Sequence, residues 1–546
     1  MKVDRIVEGA IATLSGGGSD PGFGFVEAVA IADGRVVAAG TAAEIRAVAG
    51  RTTRRTILEP DEAAVPGLTD AHLHLADTAL AAVRLDLTPA ATLEAGLASI
   101  GAAHRVLADP TAWLRGGGWD IRRWGRWPTA ADLAAVAPGR AVLLWSHDLH
   151  AIWASGRALE IAGLDRTTTE PPGGLIRRLE DGSPAGVLHE AATGLVTRSA
   201  PDPRPEELER LIERTAHDLL GLGIVALHDP GELEMDSTLS RGFAAIERLA
   251  TADRLPIRVH AGFREGALEL AIDRGLRSGS PLGRGEGRAR VGWLKLFADG
   301  TLGSRTAAVV EPYLAEPRRG EAPGGPIGLL AASQEVLAQL AGRAARAGIA
   351  TQIHAIGDRA VRAALAALEP TAGSVPLRPR IEHVQLVDPD DLARFGRAAI
   401  VASVQPGDLR DDADRARRAW GRRRSIVCPW GSLGAAGTTL AFGSDAPTAD
   451  PSPWPALAMA VTRRDPGWSA RMPAFGPGER LAIVEALRAA CRGGAIAAAE
   501  SDRGHLGVGS RADLVVIPRR ALTDPDALRE VRPRLVLVDG AVAFEA

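Results

Sequence analysis

Lysine is almost absent from this 546-residue chain: of its 64 basic Lys and Arg residues, only Lys2 and Lys295 are lysine. Cysteine is as rare. Cys428 and Cys491 are the only two, which excludes a disulfide scaffold and points to a reducing, cytoplasmic compartment. Charge of one sign is lacking too. The net charge is −3 with arginines and acids interspersed, so no basic face for nucleic acid is expected. No window approaches the roughly 18 uninterrupted apolar residues of a membrane helix. The opening MKVDRIVEGAIATLSGGG, with acids at positions 4 and 8, reads as neither signal peptide nor anchor. What is present is an ordinary globular balance, 46% hydrophobic and 24% charged, long enough for a large domain with accessories.

Strand signals cluster at both ends. FVEAVAIADGRVVAAG (25–40) reads as a hairpin turning at Asp33-Gly34, and RLVLVDGAVAFEA (534–546) as another turning at Asp539-Gly540. Together with ADLVVIP (512–518) they predict a small β-sandwich domain formed by residues 1–62 and 491–546.

Between them, short apolar runs alternate with segments of helical period. The runs are 64–74, 223–229, 257–263, 290–300, 349–358, 380–386, 399–406 and 438–447. Eight β/α repeats predict an α/β fold, a (β/α)8 TIM-like barrel whose first strand lies in 63–80 and whose remainder occupies 205–490. The long gap, 81–204, reads as an insertion after the first strand, and six of the eleven tryptophans fall within 113–153 of it.

Chemistry in such barrels sits at the C-terminal ends of the strands. There the runs place Asp70, His72 and His74 on the first, Lys295 and Asp299 on the fourth, His354 on the fifth, His383 on the sixth and Asp445 on the eighth. His72 and His74, two apart on an extended chain, face the same side. Singly, each has an ordinary reading: a satisfied polar residue, a cap, or a lysine paired with Asp299. Jointly, imidazoles and a carboxylate converging from separate strands form a ligand set suited to Zn²⁺ or a similar ion. His228 and His260, on the second and third strands, are expected to be core or pocket-lining residues.

The motifs PGLTDAHLHL, GGGWDIRRWGRWPT, HDLHAIWAS, KLFADGTLGSRTA, QIHAIGDRAV, RIEHVQ and GSDAP resemble the amidohydrolase superfamily, in particular the branch containing N-substituted formamide deformylase (amidohydrolase family 3). The resemblance runs nearly end to end. It implies two divalent metal ions, zinc foremost, with His72, His74 and Asp445 holding one, His354 and His383 the other, and a carboxylated Lys295 bridging them. Carbamate formation needs an uncharged amine, which a buried lysine can supply and arginine, with a pKa above about 12, cannot. That accounts for a lysine at 295 in a chain that uses arginine elsewhere.

The same resemblance implies hydrolysis of a C–N bond (amide, N-formyl, N-acyl or carbamate) in a small molecule. A metal-bridging hydroxide would be the nucleophile, with Asp445 carrying the proton. It implies a homodimer, and substrate contacts from His150, Trp119, Trp153 and Arg305, with Trp124 and Trp127 completing an apolar wall. Asp70 is expected to support a ligand histidine. The chain departs from the branch at 148–156, which lacks the usual asparagine, and at Cys491-Arg492-Gly493, so formamide as substrate does not carry over. Two further readings stay open: a mononuclear deaminase-type hydrolase of the same superfamily, and a barrel scaffold without catalysis.

Overall fold

The computed structural model of the protein describes residues 2–16, 22–147, 151–171, 174–232, 239–283, 287–314 and 325–546. Eight parallel strands, hydrogen-bonded in chain order, make the barrel: β1 (Leu68–Asp70), β2 (Ile224–Asp229), β3 (Arg258–Arg264), β4 (Ala289–Phe297), β5 (Thr351–Ala355), β6 (Arg380–His383), β7 (Val401–Val404) and β8 (Leu440–Phe442). The Ala71 amide donates to the Phe442 carbonyl at 2.8 Å and the Asp445 amide to that of His72 at 2.7 Å, bringing the last strand against the first. Gly443 permits that seam, because a Cβ there would stand 2.5 Å from the His72 nitrogen.

A single β/α unit shows why this sequence builds the barrel. Ser333 accepts from the Val336 amide and starts the helix Gln334–Arg346, which buries Leu337, Ala341 and Ala344 along one stripe. Arg343 and Arg346 occupy its last turn, where cations suit the helix dipole. Gly348, at φ +77°, then turns the chain into β5, all five of whose residues are buried. Burial on both faces is what a parallel sheet covered by helices requires.

The first predicted strand, 64–74, is divided by the structure. Glu62–Pro66 pairs with Leu514–Pro518 in the terminal sheet, and only Leu68–Asp70 joins the barrel. Residues 71–74 stay extended beyond the strand proper: the amide of Leu73 donates to His228 and that of His74 to Ala446. The two-residue spacing therefore still turns both imidazoles one way. The terminal strands form one branched sheet of eight, in which Arg5–Ala12 pairs with Phe25–Ala32, Arg54–Ile57 and Glu62–Pro66. Both predicted turns have positive φ at Asp-Gly: 49° and 73° at 33–34, and 49° and 72° at 539–540.

The chain divides into two compact units, one comprising Met1–Thr78 with Glu209–Ala546 and the other Ala79–Leu208. The second is built on a six-stranded sheet whose alternate residues feed two cores. Val142, Leu144 and Trp153 face one of them, Leu143, Ile152 and Ala154 the other. Among the described residues no helix is long and apolar enough to cross a membrane.

Candidate metal centre

The strand ends bring His72, His74 and Asp445 together, with two further imidazoles beside them. The Nε2 atoms of His72 and His74 lie 3.2 and 3.3 Å from Asp445 Oδ1. One ligand atom from each of these three residues falls within 4.8 Å of the others. Their orientation is fixed from behind. His72 Nδ1 donates to Glu382 Oε2 at 2.5 Å and His74 Nδ1 to the Gly231 carbonyl, which leaves Nε2 of each ring facing the centre. Two nitrogens and a carboxylate oxygen at this spacing suit a divalent ion with a position left over for water.

The rings of His383 and His354 adjoin this group. His383 has its ring centroid 5.3 Å from His72 and 4.4 Å from His354. His383 and Asp445 both adopt left-handed backbone, at φ 73° and 56°, a sparsely populated conformation for side-chain-bearing residues that packing must enforce. Burial, with Lys295 close by, pushes the His354 imidazole down to about 3. Burial beside His354 holds His383 well below its usual range. Both rings are therefore neutral, the form that binds metal. Burial would lift the Asp445 carboxyl, but His72 and His74 hold it well below the usual carboxylate range.

Lys295 is 2% exposed, with Nζ 5.1 Å from the Phe297 ring centre. Burial pushes its pKa down to about 7, with Arg264 and Arg380 assisting against the pull of Glu382 and Asp445. Asp299 does not pair with it. That carboxylate accepts the amides of Ala308, Ile356 and Gly357, pinning the loops after β4 and β5. Asp70 likewise accepts two amides, His72 at 3.0 Å and Ser444 at 3.1 Å, so it fastens backbone at the β1–β8 seam instead of supporting an imidazole ring. Burial lifts its carboxyl to about 6.

The support for His72 comes from Glu382, which the sequence reading passed over. Burial alone would raise its carboxyl, but Arg380, His72 and Lys295 hold it well below the usual range. Arg380 Nε donates to Glu382 Oε1 at 2.6 Å, and its guanidinium meets His228 Nδ1 and lies over Trp293. His228 and His260 sit in this polar barrel interior beneath the ligands. The signal was available in RIEH: Arg380 and Glu382, two apart on a strand buried on both faces, had to point inward together.

Of the residues expected to touch substrate, His150 lies outside the described residues. Trp119 and Trp153 are packed in the core of the inserted unit, at 1% and 0% exposure, with their indole N–H groups given to the Leu144 and Thr129 carbonyls. Trp124 shares that core and Trp127 packs against it. Arg305 is half-buried in the loop after β4, its guanidinium 4.8 Å from the Tyr313 ring centre.

Comparison with known proteins agrees with this architecture. The profile of the amidohydrolase family matches residues 61–544. The chain is 32% identical to Protein LONG AFTER FAR-RED 3 of Arabidopsis thaliana, over 91% of this chain and 85% of that one. It is 28% identical to N-substituted formamide deformylase of Arthrobacter pascens, over 95% of each. Among solved structures, an uncharacterized metal-dependent hydrolase from Pyrococcus furiosus superposes with a TM-score of 0.74 at 25% identity, covering 95% of this chain and 99% of that one. A triazine hydrolase variant shares the fold at a TM-score of 0.55 and 17% identity, over 100% of this chain and 95% of that one.

Proposed function

The chain belongs to the amidohydrolase family, and we propose that it hydrolyses a C–N bond of a small molecule (an amide, N-formyl, N-acyl or carbamate group) at a centre of two divalent ions, zinc foremost. The observation that supports this reading is the cluster of His72, His74 and Asp445, with the His383 ring 5.3 Å from that of His72 and the His354 ring 4.4 Å from that of His383. In the proposed centre the first three would hold one ion, His354 and His383 the other, and Lys295, buried with its amine pushed down to about 7, would serve both. Bound metal would supply an acidified water and an electrophile for the carbonyl.

The protein's own groups do the rest. Lys295, poised near pH 7 and shielded from water, is able to be neutral; its nitrogen would add CO2 and release one N–H proton to solvent, leaving a carbamate whose carboxylate would be offered to the ions. Glu382 fixes the His72 tautomer. Asp445, ionised and hydrogen-bonded to Thr448 Oγ1 at 3.0 Å, accepts the proton of the attacking water on its carboxylate and returns it to the leaving nitrogen.

A single-ion reading has one observation in its favour: His72, His74 and Asp445 form a sufficient ligand set by themselves. Metal content after zinc loading separates the two, with about two ions per chain against about one. A hydrolysis screen over N-acyl, N-formyl and carbamate compounds tests the reaction class, and an inert, fully loaded protein sinks it.

A further inference from the structure

A recess opens beside His383 and is lined, among others, by Gln385, Gln405, Asp408, Asp412 and Trp420, all carried on the segments that follow β6 and β7. Its chemistry is one-sided. Asp412 accepts from Gln385 Nε2 at 3.1 Å and pairs with the half-exposed Arg415, while Arg410, the cation nearest Asp408 in sequence, pairs with Asp411. The Asp408 carboxylate receives no hydrogen bond from the described side chains. Gln385 Oε1 and Gln405 Nε2 are buried without partners, the two residues being 8% and 5% exposed. Buried polar atoms of this kind ordinarily have a hydrogen-bond partner, and here the free ends line a recess that adjoins the proposed hydrolytic centre. A glutamine amide can present either its oxygen or its nitrogen to what enters.

Two carboxylates, two glutamine amides and the wall of Trp420 suit a compact organic cation with several N–H donors. We propose that the substrate carries, beside its scissile amide, a protonated amine that seats between Asp408, Asp412 and Gln385. This inference rests on the hydrolase reading and names its substrate class: mono-N-acylated diamines and related aminoalkyl amides, with His383 marking the boundary between recess and reacting carbonyl.

The test is a matched series on the zinc-loaded protein: mono-N-acetyl-diaminobutane, its neutral isostere N-pentylacetamide, and the anionic N-acetyl-aminobutanoate. The cationic compound should exceed the neutral one in kcat/KM by about 10- to 100-fold, as expected for charge-assisted hydrogen bonds. Asp408→Asn should cut that ratio about tenfold, and Gln405→Leu, which alters no charge, provides a second variant. Turnover with equal or reversed preference overturns the inference and leaves the hydrolase reading standing. If none of the three is hydrolysed, the acyl group is the wrong one or the centre is not hydrolytic, and the broader screen above decides between these. Calorimetry with diaminobutane against butanol then decides the recess independently. Binding of the diamine that Asp408→Asn weakens supports the inference, and equal or absent binding overturns it.

Discussion

His72 and Glu382, 310 positions apart, share a hydrogen bond of 2.5 Å between Nδ1 and Oε2 in a fully buried setting. It makes the orientation of a β1-end ligand depend on β6. Removing such support behind a metal-binding imidazole typically costs 10- to 100-fold in metal affinity. Glu382→Gln, close in shape but unable to accept with full charge, should weaken zinc binding by about that factor. Competition with a chelator of known affinity checks it, and unchanged affinity would remove Glu382 from the proposed centre.

Arg380 is the counterpart of that carboxylate, and both side chains are 0% exposed. Deleting one partner of a buried pair leaves the other as an uncompensated charge, at a cost of about 3–5 kcal/mol. Arg380→Met should therefore lower the thermal midpoint of the metal-free protein sharply. The double replacement Arg380→Met with Glu382→Leu should recover much of the loss, which thermal unfolding of the two variants compares directly.

Lys295 fixes a pH dependence whose sign is definite. Its pKa is lowered to about 7, so the amine is mostly protonated below that pH and mostly neutral above it. Only the neutral form adds CO2. From pH 6 to pH 8 the neutral fraction rises about tenfold, and activation of metal-free protein by zinc and bicarbonate should quicken by a similar factor. Lys295→Arg should abolish the activation at every pH, and carbon-13 NMR of the folded, zinc-loaded protein in labelled bicarbonate should show a carbamate carbon that the variant lacks. Identical activation rates at both pH values would count against carbamate formation.

Local residue choice made much of the architecture readable, and long-range closure made the rest unreadable. Eight apolar runs predicted eight barrel strands because a parallel sheet covered by helices needs strands buried on both faces. The Asp33-Gly34 and Asp539-Gly540 turns were legible because a two-residue turn with positive φ at both positions leaves few alternatives. The division at residue 67 was not, since Glu62–Pro66 finds its partner at Leu514–Pro518, more than 400 positions away. The same limit hid the distant partners of Asp70 and Asp299, whose carboxylates accept the amides of Ser444 and of Ile356 and Gly357 besides nearer ones. A strand-end acid looks identical in sequence whether it faces a metal or holds a loop.

Trp119 makes the last distinction, between a residue that meets substrate and one that holds up the core of the inserted unit. Its ring is stacked 6.1 Å from Trp124 and set edge-on 6.2 Å from Trp127, within the core of Ala79–Leu208. Truncating a buried tryptophan removes its transfer energy and leaves a cavity, at a cost of about 3–5 kcal/mol. Trp119→Ala should therefore act on stability, with the inserted unit losing protection in limited proteolysis and melting earlier, while zinc stoichiometry, set within the other unit, stays at the wild-type value. A variant that keeps its melting temperature and protease resistance but raises KM would return Trp119 to the substrate wall that its sequence neighbourhood suggested.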